Sequence, residues 1–133
     1  MGGRANRMIL KTIAFAPKHI PHILKGTKTA TLRFWRRTDI LPNETVFLID
    51  SFQKMPFALA RVTSIEQKTF DQLDDKDKDD SGHEESFEDF QRQLQADYKI
   101  PILRKTPFLV IHFAVIDDGQ DHLRPLEPEQ ASA

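Results

Sequence analysis

An α+β fold, a small mixed β-barrel with short helices covering its ends, is what this 133-residue sequence predicts. Three observations lead there. The length suits one domain around one continuous core. Several short runs alternate polar and apolar residues and are bounded by Pro, Gly and Asn, as strands are. Two further runs carry apolar residues at helical spacing with capping residues in place, one near the start of the chain and one before its last apolar run.

Taken in order, residues 8–15 (MILKTIAF) mix apolar and polar positions as a first strand does, and Pro17 breaks it. In KHIPHILKG, Pro21 is tolerable only in a first helical turn, Ile20, Ile23 and Leu24 form an apolar stripe, and Gly26 suits the left-handed residue past a helix end. From Thr29 to Phe34 the period is two, so Thr29, Thr31 and Arg33 share one sheet face. Pro42-Asn43 is a turn into a strand at Val46–Ile49, and PFALARVTSIEQ is another with Ala58, Ala60 and Val62 on one side. Thr69 caps a short turn, FDQL. Ser86 is the N-cap of a helix whose Phe87, Phe90, Leu94 and Tyr98 make one apolar face, ended by Pro101. TPFLVIHFAVI is the closing strand. The expected domain is 8–117, with residues 1–7 and 118–133 disordered because they have little to bury.

Composition narrows the function. There is no cysteine, which excludes disulfides and thiolate metal sites and fits a reducing cytoplasm. No apolar run approaches the roughly 20 residues of a membrane span, and MGGRANRM lacks both the apolar stretch of a secretory signal and the Ser or Thr of a myristoylation signal. The net charge of -1 conceals a polarity: nine Lys and Arg residues precede the first acid, Asp39, whereas residues 74–89 carry nine acids against Lys76 and Lys78. Such asymmetry favours a polyanion on the cationic side, with the acidic segment turned to water.

The stretch GTKTATLR, residues 26–33, concentrates the candidate chemistry: Lys28 lies just past a helix end, and Thr31 and Arg33 are neighbours on one strand face. It resembles the glycine-x-lysine, threonine and arginine pattern of the ASCH domain, an RNA-associated relative of the PUA fold. FALARVTSIEQKTFDQL, SGHEESFEDFQRQLQADY and TPFLVIHFAVI resemble the family's later elements in order, so the likeness runs from residue 8 to 117. It implies a PUA-like barrel with Gly26, Lys28, Thr31 and Arg33 at the site. Some small ASCH proteins are amidohydrolases acting on N(4)-acetylcytidine through a lysine, a threonine three residues on and an acid from the loop before the second helix. Lys28 and Thr31 match; Ser81 stands where relatives often have the acid, so Asp80 or Glu84 would have to serve.

FWRR, residues 34–37, is a second constellation. A ring or guanidinium plane can stack a base while the charge holds a phosphate. Phe34 and Trp35 would point to opposite faces of a continuing strand, so one is expected in the core, and Trp35, Arg36 and Arg37 are the favoured RNA contacts. Asp77, Asp79, Ser81, Gly82 and Glu88 imitate the spacing of a calcium loop, but Glu84 occupies its apolar position and no helix is evident before it, so a solvated acidic loop is expected. His19 and His22 read as surface residues and His112 as a hydrogen-bonded core residue. No metal, cofactor or protein partner is implied. Two functions remain open: a module binding RNA or a nucleotide, and a small hydrolase of a modified cytidine nucleoside.

Overall fold

A computed structural model describes residues 10–35 and 37–118. The elements are β1 (Lys11–Phe15), α1 (Ile20–Lys25), β2 (Ala30–Arg33), β3 (Thr45–Asp50), β4 (Met55–Thr69), α2 (Asp75–Asp80), α3 (Phe87–Tyr98) and β5 (Pro107–Asp117). A single 3-10 turn, Pro17–His19, leads into α1, and another, Phe70–Gln72, follows β4. The parts of the expected 1–7 and 118–133 segments other than Asp118 lie outside the described residues.

The strands form one sheet in the order β1-β3-β4-β5-β2. β1 pairs with β3 in parallel and every other pair is antiparallel, which makes the sheet mixed. It curls into a half-barrel around a core of Ile13, Val46, Leu48, Ala58, Ala60, Val62, Ile111 and Phe113, closed by Ile23 of α1. The outer face carries a second core under α3, with Leu32, Phe90, Leu94, Phe108 and Val110. Both faces being covered explains the unbroken apolar run of β5: Leu109, Ile111 and Phe113 serve one core, Phe108 and Val110 the other. Register shifts after Leu48, after Leu59 and near Val62 mark irregularities in the ladders, which help a sheet to bend.

Local chemistry sets the element ends. Gly26 has φ of +83° and caps α1 with its N–H on His22 and Ile23. Thr69 and Gln72 form a reciprocal capping box around the 3-10 turn. The hydroxyl of Ser86 accepts from Asp89 N at 3.2 Å. α3 stops at Tyr98 because Lys99 turns left-handed, at φ of +59°, two residues before Pro101.

Residues 75–80 correct the sequence reading. They form a helix rather than a solvated loop, opened by a capping box between Asp74 and Asp77. Asp77 and Lys78 are buried. The Asp77 carboxylate accepts from Lys68 Nζ at 2.7 Å and from Asp74 N at 3.1 Å, so a lysine on the long strand β4 neutralises it and draws the acidic helix onto the sheet. The would-be calcium ligands Asp77 and Asp79 are thereby locked in helical backbone. His112 is half-buried and faces three carboxylates, of Glu66, Asp77 and Asp80, at 3.8 to 3.9 Å. Phe34 and Trp35 are both exposed, so neither is the core residue that strict alternation required.

Because Asp77 is buried and bonded to a charged partner, Asp77→Ala should destabilise the fold by about 2–4 kcal/mol in urea denaturation. A loss under ~0.5 kcal/mol would show that the pair does not hold α2 in place.

Candidate functional site

β1 and β2 are the outermost strands of the sheet, and its curl brings these two edges together. A cleft of about 370 Å³ opens between them. Its walls include Phe15 from β1, Thr31 and Arg33 from β2, Lys28 just before β2, Ser81 after α2 and Tyr98 at the end of α3. Thr31 and Arg33 pair in register with Ile111 and Leu109, whose side chains belong to the inner core, so the polar face of GTKTATLR looks into the half-barrel.

Lys28 is fixed from two sides. The end of α1 holds its backbone, since His22 O accepts from Thr27 N at 2.9 Å and from Lys28 N at 3.1 Å. The end of α2 and the residue after it then lie over it: Asp80 O accepts from Thr29 N at 2.7 Å, and Ser81 O accepts from Lys28 Nζ at 2.7 Å. Gly82, at φ of +86°, packs on the lysine stem, and a Cβ there would sit 3.5 Å from Lys28 Cβ. The Ser81 hydroxyl is buried with no hydrogen-bond partner among the described residues.

Arg33 bridges the two edges. Its Nη2 donates to Ala14 O on β1 at 2.7 Å, its Nε donates to Thr31 Oγ1 at 3.0 Å, and its guanidinium lies between the rings of Phe15 at 4.8 Å and Trp35 at 5.5 Å. Tyr98 donates its hydroxyl to Leu32 O at 2.5 Å, tying α3 to β2.

Electrostatically the cleft is cationic: Lys18, Lys28 and Arg33 line it against Asp97. Burial, reinforced by the Arg33 charge and opposed by Asp97, pushes the Lys28 amine down to about 7. Burial also lowers Arg33. His19, read from the sequence as a surface residue, lines the cleft, and burial together with the Lys28 and Lys18 charges takes it down to about 4, so its ring is neutral at pH 7.

Lys28, Thr31 and Arg33 thus meet in one place. Trp35 stands beside Arg33, and Arg37 is exposed. Arg36 lies outside the described residues. Gly26 shapes the helix end and borders a separate groove of about 720 Å³ rather than this cleft. Neither acid proposed from the sequence lines the cleft: the Asp80 carboxylate is held by Lys76 at 2.7 Å on the side facing His112, and Glu84 is exposed. The carboxylate that does is Asp97, 3.8 Å from Lys18. Sequence reasoning passed over it, although it directly precedes the tyrosine that had been noted at the helix end.

No family model and no curated protein sequence matches this chain. Solved structures do. A protein of Enterococcus faecalis described by the family model DUF984 superposes with a TM-score of 0.64 at 16% identity, covering 89% of this chain and 88% of its own. An ASCH domain of Lactobacillus crispatus gives 0.57 at 15% identity, with 80% of each chain covered. An ASCH protein of Zymomonas mobilis gives 0.59 at 17% identity, covering 90% of this chain and 73% of its own. The architecture is therefore a PUA-like half-barrel, and within it the fold is that of ASCH domains. These likenesses define the fold and leave activity to the site.

Lys28 carries a linked prediction. Its unfolded value is the ordinary 10.5 and its folded value about 7, so between these pH values the unfolded chain binds more protons and stability rises with pH. Lys28→Met should therefore stabilise the fold at pH 6 by on the order of 2–4 kcal/mol, an advantage that shrinks steadily between pH 7 and 10. Parallel stability–pH profiles for the two proteins would contradict the burial-lowered amine.

Proposed function

We propose that this domain binds RNA or a nucleotide, with an anionic group of the ligand seated in the cleft between β1 and β2. The observation that carries the proposal is a pair of cations without a counter-ion. Among the described residues, neither buried Lys28 nor half-buried Arg33 has an ion-pair partner; their hydrogen bonds go to the Ser81 carbonyl, the Ala14 carbonyl and the Thr31 hydroxyl. Charges removed from water are ordinarily paired, and here the partner is supplied by the ligand. A phosphate suits both donors, the guanidinium as a planar fork and the ammonium as a point charge.

An anion beside Lys28 raises its affinity for a proton, so binding is coupled to proton uptake. Nucleotide affinity should be highest below pH 7 and fall as pH rises through about 7, where the free site loses its lysine charge. Calorimetry in buffers of different ionisation enthalpy measures the proton taken up. An affinity independent of pH between 6 and 9, or unaltered in Lys28→Ala, argues against this ligand position.

A second reading is favoured by one specific observation, a lysine near neutrality in the same cleft as a threonine. In this reading Lys28 takes the proton of Thr31, the threonine oxygen attacks the acyl carbon of an acylated cytidine, the protonated amine leaves, and water then hydrolyses the acyl-threonine. Asp97 is the carboxylate available in the cleft to assist proton transfer. Incubation with N(4)-acetylcytidine should then release acetate, Lys28→Ala and Thr31→Val should each abolish it, and the double variant should be no worse than either. Absence of acetate at high protein concentration removes this reading and leaves the binding one intact.

A further inference from the structure

Next to the cleft lies a second, smaller hollow with different chemistry. It holds about 310 Å³ and is lined by Phe34, Trp35, Gln67 and Pro107. Phe34 and Trp35 leave the end of β2 with 43% and 37% of their surfaces exposed, although both are large aromatics. Gln67, from β4, is the polar side chain among an otherwise apolar lining.

The two hollows have no lining residue in common, but side chains of one pack on side chains of the other. Arg33 lines the cleft on one side and lies 5.5 Å from the Trp35 ring on the other. Tyr98 also lines the cleft, and its ring stands 6.0 Å from that of Phe34, which in turn stands 6.0 Å from Phe108. The aromatic hollow is therefore packed against residues that shape the cationic cleft. Its volume suits one planar ring system. Two exposed aromatic rings, with a single amide able to donate and accept, are suited to stacking a nucleobase and hydrogen-bonding its edge.

We propose that the hollow of Phe34, Trp35, Gln67 and Pro107 is a second subsite that takes the base of a neighbouring nucleotide, so that the ligand is a single-stranded oligonucleotide rather than a free nucleotide. The inference rests on the nucleotide reading of the cleft and adds to it a size requirement and a stacking platform. The cation at the junction, Arg33, lies where the strand passes from one hollow to the other, and exposed Arg37 follows two residues after Trp35 on the same connection.

Trp35 is the chain's single tryptophan, so its emission reports on this subsite and on Arg33 beside it, and the Trp35→Ala comparison by calorimetry separates the two. The test titrates the protein with each of the four nucleoside 5′-monophosphates and with the four homotrinucleotides of RNA, following Trp35 fluorescence and, independently, calorimetric heat. At least one trinucleotide should bind about tenfold or more tightly than its monophosphate and quench Trp35 emission. In Trp35→Ala, followed by calorimetry, the ratio of trinucleotide to monophosphate affinity should fall to about one, and Gln67→Ala should reduce it without altering the fold. Monophosphates that bind while trinucleotides gain nothing, or a gain that survives Trp35→Ala, would overturn the subsite and spare the cleft. Absence of binding by both ligand classes would overturn the cleft reading and this one with it. Trinucleotide binding that leaves Trp35 emission unchanged assigns the aromatic hollow to some other partner and also overturns the proposal.

Discussion

The guanidinium of Arg33 spans the one place where this sheet fails to close. Strand order leaves β1 and β2 as free edges facing each other, and an open edge exposes backbone groups that need partners. Arg33 supplies a donor to the Ala14 carbonyl across that gap and stacks on Phe15 of the far strand. A direct backbone ladder would have sealed the barrel and filled the opening. A side-chain bridge joins the edges and leaves a cleft between them, so the same contact that completes the fold creates the site.

Holding that bridge in place requires the surroundings to tolerate concentrated positive charge. Lys28 and Arg33 repel each other, and both are removed from water. The fold meets this cost with carbonyls rather than carboxylates: those of Ser81 and Ala14 accept from the two cations. A carbonyl offers only a partial charge, so the amine is left poised to lose its proton near neutrality instead of being pinned as an ammonium. The acids concentrated in residues 74–80 act elsewhere. Asp80 pairs with Lys76 inside α2, whereas Asp77 binds Lys68 of β4 and so seats α2 where the carbonyls of Asp80 and Ser81 reach Thr29 and Lys28.

The solved ASCH and DUF984 structures share this architecture at 15–17% identity, a level at which the backbone path persists while side-chain chemistry diverges. In this chain Ser81 stands beside Lys28 and its carbonyl accepts from the amine, while Asp80 and Glu84 do not line the cleft. What the cleft offers instead is an excess of donors, with Asp97 set apart against Lys18. Among the residues that line it, Lys18, Lys28 and Arg33 outnumber Asp97, and the proposal that it binds an anion rests on that excess.

Local pattern in the sequence determined the elements and half of the site. Proline and glycine bounded α1, the two-residue period of β2 put Thr31 and Arg33 on one face, and Ser86 marked the start of α3; each depends only on residues within a few positions, which is the range over which backbone geometry acts. The acidic segment was misread because its capping box is local but its burial is not: Lys68, which draws Asp77 inward, comes from another element, and only the path of β4 under α2 brings them together. The identity of the cleft's carboxylate was likewise beyond reach. Asp97 lies 69 positions from Lys28 by numbering, and its place at the cleft follows from α3 packing over Leu32 and Phe108, whereas Asp80 and Glu84, nearer in sequence, are turned away by helix geometry and exposure. Strand order decided the rest, since no periodicity states that the first and the second strands will become the two edges of one sheet, bridged across their gap by the Arg33 side chain.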